Sequence, residues 1–278
     1  MTTAVWAPPK PLRVLRRFVR TPKGSLLPIL LLLTAVAAPA EGLGRVLPNV
    51  IGAMAAAALV DLAIMRFTRG VWFFPSGALL TGLIVALVLS PIEPWYIAVA
   101  TAAIAIGSKY VLRTRWSNIF NPAALALVIS SFLFATAQSW WGGLPDLSPL
   151  VLVLLVCGGL YIANHINKLP LVLVFLGSYF VLFTATALLG NSAQVAEIFR
   201  VPDVNAALFF ALFMLDDPPT CPTRYSDQVW FALIVAAVSY AVFLAAGVDY
   251  YLLAGLLAGN VWEATRRWAA RPKLREVR

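Results

Sequence analysis

The chain is 278 residues long, 61% of them hydrophobic and 12% charged, with a formal net charge of +9. A soluble domain carries about 45–50% apolar and about 25% charged residues, so this chain has too little polar surface for water. Two cysteines in unrelated contexts, Cys157 and Cys221, and a single histidine, His165, argue against iron–sulfur, structural zinc and bis-histidine haem sites built from this chain.

In chain order, residues 1–24 form a basic segment holding Lys10, Arg13, Arg16, Arg17, Arg20 and Lys23. With the apolar run after it and the small residues Ala37-Ala38-Pro39-Ala40, it has some features of a signal peptide. A retained first span is expected instead, because it preserves the charge pattern of the later loops. A span needs about 20 apolar residues, fewer where it is broken. Ten segments qualify: 26–40, 47–65, 72–89, 95–112, 122–136, 147–164, 169–189, 203–215, 228–247 and 250–264. Residues 25–265 therefore read as one transmembrane domain, with halves at about 25–140 and 145–265, and 266–278 as a basic tail.

With both ends in the cytoplasm, the inner regions collect 19 of the 21 Lys and Arg, leaving only Arg45 and Arg200 outside. That asymmetry is the positive-inside pattern. It explains the net charge by topology and argues against a nucleic-acid partner; the expected surroundings are membrane lipid. The fold expected is an all-α polytopic membrane protein with ten transmembrane helices. Five spans in each half would place the halves in inverted orientation, a plan suited to handling something near the midplane. An apolar helix runs into a Pro-stopped turn at Ser90-Pro91 and again, five spans later, at Asp216-Asp217-Pro218.

Three stretches are too polar or too rich in helix breakers for plain lipid-facing helix. Pro75-Ser76-Gly77-Ala78-Leu79-Leu80-Thr81-Gly82 has the small residues that let a second helix, or a flat ligand, approach the backbone. In the second, Asn121 is placed to cap a helix opened by Pro122, offering free N–H groups to an electron-rich ligand. Lys109, Arg113 and Arg115 stand nearby; an ordinary inner loop obeying the charge rule is the alternative. In the third, Asp216 and Asp217 lie at a helix C-terminus, unfavourable to its dipole. Arg224, a cation or a ligand's N–H groups would compensate them, unless the turn is simply solvated. Asp61, inside the second span, reads either as a functional intramembrane carboxylate or as a local ion pair with Arg66.

These stretches, in this order, resemble the membrane flavoproteins that include the B component of the sodium-pumping NADH:quinone oxidoreductase and the D component of the Rnf electron-transport complex. The similar pieces are Thr81-Gly82-Leu83-Ile84 with Pro91 and Pro94-Trp95, Lys109 leading to Asn118-Ile119-Phe120-Asn121-Pro122-Ala123, Met214-Leu215-Asp216-Asp217-Pro218, and Leu256-Leu257-Ala258-Gly259-Asn260. The resemblance implies ten helices in two inverted halves, location in the cell's inner (plasma) membrane, and electron transfer through flavins. One flavin would be FMN joined to a threonine in a Ser-Gly-Ala-Thr-like motif on the outer side; another would be riboflavin held without a covalent link. The window for that motif reads Phe134-Ala135-Thr136-Ala137-Gln138-Ser139-Trp140-Trp141 and lacks the Ser-Gly. Noncovalent riboflavin or FMN is therefore expected in preference to covalent FMN.

On this reading the chain is a subunit that passes electrons between partner redox subunits or toward a quinone, with ion movement an open question. Asn118, Asn121 and Pro122 would shape one cofactor pocket, and Asp216, Asp217 and Thr220 its counterpart in the other half, with Thr81 and Lys109 also nominated as cofactor-binding. No residue is nominated as catalytic and no metal ligand set is present in the sequence. The rivals are a flavin-free transporter of a small solute or ion, and a structural subunit docking through its tryptophans.

Overall fold

A computed structural model describes residues 21–114, 117–145 and 149–269. Arg115 and most of the basic N-terminal segment and C-terminal tail lie outside the described residues, so the expected position of the two termini does too. Among the described residues there are ten helices of eleven residues or more: α1 (Pro22–Glu41), α2 (Leu43–Arg69), α3 (Ser76–Val88), α4 (Trp95–Val111), α5 (Pro122–Phe134), α6 (Pro149–His165), α7 (Leu169–Thr186), α8 (Asp203–Phe213), α9 (Tyr225–Ala246) and α10 (Tyr251–Ala269). Among the described residues the chain pairs as strand only in two isolated bridges.

Four helices, at Pro22–Glu41, Leu43–Arg69, Leu169–Gly190 and Tyr225–Ala246, are long and apolar enough to cross a bilayer. Their outward faces carry large apolar groups such as Ile51, Leu59, Val181 and Trp230, as lipid contact requires. The protein is therefore a multi-helix membrane protein. Other apolar helices are shorter than the sequence segments suggested. The expected third span, 72–89, becomes a 13-residue helix after the non-helical stretch 70–75, and the eighth is an 11-residue helix. At ~1.5 Å per residue these reach only about 20 Å, short of a ~30 Å hydrocarbon core. Irregular backbone at such depth is tolerated where protein covers it, and here it borders cavities.

Within the chain, α2 packs along α3 and α4, while α9 packs along α7 and α10. The first helix of each five, α1 and α6, contact one another, and the last two, α5 and α10, also meet. Close approach of α3 to α2 depends on Gly82, where a Cβ would fall 2.6 Å from the Ala53 carbonyl oxygen. The first half is packed largely with alanine (Ala53, Ala57, Ala98, Ala102, Ala105), and the second with the rings of Phe175, Tyr179, Phe183, Phe209 and Phe210. Tyr179 and Tyr251 join their hydroxyls at 2.7 Å inside that aromatic core.

Trp141, one of the tryptophans that a docking surface would use, is buried and its Nε1 donates to the Ala86 carbonyl at 2.6 Å. Trp140 is buried beside it, and Trp72, Trp95, Trp230 and Trp268 are exposed. Asp61 does not pair with Arg66. It is 1% exposed and meets Lys109 of α4 at 3.1 Å and the Tyr110 hydroxyl at 2.6 Å. Arg66 instead bonds the Gly70 carbonyl and lies over the Trp72 ring. His165 is exposed and stacks on Tyr161.

Candidate functional site

The starts of α1, α3 and α5 and the end of α8 converge on one cavity of about 560 Å³. Local sequence explains why the chain turns there. Thr21 caps α1 by accepting from the Gly24 N–H at 3.1 Å, with Pro22 in the first turn. Asn121 caps α5 in the same way, accepting from the Ala124 N–H at 3.1 Å ahead of Pro122. At the other side Met214 leaves helical geometry, and the turn through Pro218 and Pro219 follows.

Thr81, Lys109, Asn118, Asn121, Pro122, Asp216 and Asp217 all line this cavity. The two groups that the sequence assigned to separate pockets thus share a single space. Thr220 is not part of the lining; its hydroxyl donates to Asp217 Oδ2 at 2.9 Å from behind. The Thr81 hydroxyl is committed to the Gly77 carbonyl at 2.9 Å, so its methyl and backbone shape the wall more than its donor does. Of the neighbouring basic groups, Arg113 does not reach the lining, whereas Lys23 does.

The acidic turn is held without Arg224, which is exposed. Burial drives the Asp217 carboxyl up to about 6, opposed by the Thr220 hydroxyl and the charges of Lys23, Arg267 and Lys109. Burial, and then the like charge of Asp217, hold Asp216 well above the carboxylate range, with Lys168 opposing. Asp216 is 4% exposed, and its Oδ2 has no hydrogen-bond partner among the described residues. The cavity therefore presents ammonium groups from Lys23 and Lys109, an amide from Asn118, and carboxyls from Asp216 and Asp217. Between them lie apolar walls from Leu80, Ile84, Ile162 and Phe213.

A network unforeseen in the sequence binds the two polar turns together. The Asn121 backbone N–H donates to Asn260 Oδ1 at 2.8 Å, and Asn260 Nδ2 donates to the Thr220 carbonyl at 3.3 Å. Asn121 Nδ2 donates to the Met214 carbonyl at 3.2 Å. One helical face further, Arg267 bonds Ser117 Oγ, the Pro219 carbonyl and the Cys221 carbonyl, held in turn by buried Glu263. Asn260, Glu263 and Arg267 recur at helical spacing on α10, a polar stripe in an apolar helix that periodicity alone would flag.

A second cavity of about 480 Å³ lies at the opposite end of α3, walled by Ser90, Pro91, the 138–140 segment and the start of α8. Thr136, the threonine of the covalent-flavin window, is buried, its hydroxyl has no hydrogen-bond partner among the described residues, and it is not among the lining residues of this cavity.

These features define a class: an all-helical membrane protein whose interrupted helices enclose a polar-edged, apolar-walled cavity. Residues 19–150, a little under half of the chain, match the NQR2, RnfD, RnfE family. The chain is 31% identical over 130 residues to the D component of the ion-translocating oxidoreductase complex of Pseudomonas aeruginosa, a match covering 44% of this chain and 37% of the relative. The corresponding proteins of Aliivibrio salmonicida (36% identity over 67 residues, 24% of this chain and 19% of the relative) and Stutzerimonas stutzeri (42% over 65, 23% and 18%) are similar over shorter stretches. The chain thus spans little more than a third of the curated relatives it matches at greatest length.

Proposed function

We propose that the chain is a membrane subunit of an ion-translocating, flavin-dependent electron-transport complex, and that the first cavity holds a noncovalent flavin. The observation that carries this reading is the convergence of the Asn118–Pro122 and Asp216–Asp217 turns on one space. Its volume falls in the usual range for small-molecule and cofactor sites, ~300–1,000 Å³. A flavin ring is flat and apolar on its faces, with N–H and carbonyl groups along one edge. Leu80, Ile84 and Phe213 suit the faces; the unpartnered Asp216 carboxyl suits an N–H group; Asn118 and Lys109 suit the carbonyls.

Flavin, when bound, supplies the redox chemistry. The chain's own part is to orient the ring, exclude water with the Leu80–Ile84 wall, and set the local charge through Lys23, Lys109 and the two aspartates. Asp61 keeps Lys109 in place from behind. Electrons would come from and pass to partner redox subunits or a quinone, in keeping with the ion-translocating oxidoreductase complexes to which the similar proteins belong.

The halves are proposed to be inverted repeats in the cell's inner membrane, with both termini on the cytoplasmic side. In support, α3 starts at the first cavity and ends at the second, whereas α8, third in its own half, runs from the second to the first.

The visible spectrum of protein purified in mild detergent tests the flavin reading, repeated on the acid-precipitated pellet and supernatant. Flavin bands released into the supernatant are expected. Colour retained in the pellet would mean a covalent site. A colourless protein that gains no colour on adding riboflavin or FMN would overturn the reading and favour a scaffold or transporter.

A further inference from the structure

The stretch between α2 and α3 has a chemistry that neither cavity uses. Residues 70–75 are non-helical, and Val71, Trp72, Phe73 and Phe74 are exposed, Trp72 at 72%. The amides of residues 71–73 have no backbone hydrogen-bond partner among the described residues. Exposed backbone in that state does not lie in hydrocarbon, which offers its N–H groups nothing. Large rings exposed side by side are equally unsuited to water. The layer that suits both is the bilayer interface, where tryptophan collects.

Basic side chains surround the same stretch. The Arg66 guanidinium donates to the Gly70 carbonyl at 3.3 Å and lies 5.9 Å from the centre of the Trp72 ring. Arg69, in the last turn of α2, and Arg113, just past α4, both lie near enough to Tyr110 to act on it electrostatically, which places them at one end of the α2–α4 pair. All three arginines are exposed, and none has an ion-pair partner among the described residues. Asp61, the neighbouring carboxylate, is buried and committed to Lys109 and Tyr110. The helix ends favour cations there yet leave three guanidinium groups without an acid. Along α2, Ile51, Ala55, Leu59, Ala63 and Phe67 are exposed at four-residue spacing, an apolar ridge that ends beside Arg66.

We propose that this patch binds an anionic phospholipid, with its phosphate at Arg66, Arg69 and Arg113, the 72–74 rings among the headgroups, and an acyl chain along the α2 ridge. A guanidinium fork matches the oxygens of a phosphate, and basic clusters beside the end of a span attract anionic lipid. An acidic face of a soluble partner would match the charges but not the ridge, which continues onto the lipid-contacting face of a long span. The patch is separate from both cavities and does not depend on flavin in the first.

The test places the purified full chain in nanodiscs of phosphatidylcholine with a minor fraction of phosphatidylglycerol, the acyl chains of one lipid or the other carrying bromine. Brominated chains quench tryptophan fluorescence on contact, and the Trp72 signal is the difference between the wild type and Trp72→Phe. Per mole of lipid, brominated phosphatidylglycerol should quench that signal about fivefold more strongly than brominated phosphatidylcholine, the preference that one arginine near the surface confers. The preference should vanish in the variant that combines Arg69→Gln and Arg113→Gln, while quenching by phosphatidylcholine persists. High salt, which screens exposed charges, should narrow the preference of the wild type and serves if that variant fails to fold. Equal quenching by the two lipids overturns the proposal, as does a preference that survives both the substitutions and salt. A Trp72 signal quenched by neither lipid overturns it too, and assigns the patch to a protein partner.

Discussion

The backbone N–H of Asn121 donates to the side-chain oxygen of Asn260 at 2.8 Å, across 139 residues of sequence. Through the Asn260 amide nitrogen, the same side chain also holds the Thr220 carbonyl. One buried amide therefore joins the turn that opens α5 to the turn that follows α8, and both border the first cavity. Asn260→Leu leaves a buried donor and a buried acceptor unpaired. A loss of about 1–3 kcal/mol for each is expected, with weaker flavin retention through detergent washes, measured by thermal unfolding and by the flavin-to-protein ratio.

The Asp61–Lys109 pair makes a second comparison. Lys109→Met leaves a carboxylate that is 1% exposed with only the Tyr110 hydroxyl, whereas Tyr110→Phe removes one hydrogen bond and keeps the charge pair. Loss of one partner of a buried pair costs about 3–5 kcal/mol. Lys109 is itself 27% exposed, so about half of that is expected after solvent screening. Tyr110→Phe should cost about 1 kcal/mol. Denaturation midpoints that rank the two variants the other way would refute this account of Lys109.

Asp217 makes stability depend on pH in a stated direction. Its folded carboxyl is raised to about 6 from an ordinary value of 3.8, so the folded state binds the proton more tightly than the unfolded chain. Its contribution is fully present below about 3.8 and is lost as pH rises through about 6. Asp216 is shifted in the same direction by burial. Between about pH 4 and pH 6 the unfolding midpoint of the wild type should therefore fall more steeply with rising pH than that of Asp217→Asn. Parallel profiles would remove Asp217 as the cause.

Two glycines on α3 should respond differently. A Cβ at Gly82 meets the Ala53 carbonyl oxygen at 2.6 Å, and backbone cannot yield cheaply. A Cβ at Gly77 meets only the Lys23 ammonium end at 3.3 Å, the movable tip of a long side chain in the first cavity. Gly82→Ala is expected to destabilise by about 1–3 kcal/mol through overpacking. Gly77→Ala should leave the unfolding midpoint nearly unchanged while altering flavin affinity, which spectral titration would measure.

Much of the architecture was legible because membrane helices announce themselves locally. A lipid-exposed segment must satisfy its own backbone and show apolar side chains, so α7 and α9 appear as long apolar runs, and α2 as one broken only by the buried Asn49 and Asp61 between its ends. The cap at Asn121-Pro122 was legible for the same reason, since a cap is made within four residues. The shortness of α3 was not: the apolar residues at 71–74 look like helix in sequence yet lie outside it. Asn260 stands out in sequence only as part of the family resemblance, Glu263 and Arg267 are marked only by their helical spacing from it, and Lys23 is hidden within a basic cluster that topology already explains.

The amino-acid order by itself determined that this is a helical membrane protein, where its helices lie, and which turns are too polar for lipid. Only the tertiary structure decided that Asp61 answers Lys109 and not Arg66, that two polar turns from different halves border one cavity, and that Asn260 joins them. Helix formation and capping depend on hydrogen bonds and apolar patterning a few residues apart, which a linear sequence displays. Pairings between residues dozens to more than a hundred positions apart are set by how whole helices pack, and no local pattern records which faces will meet.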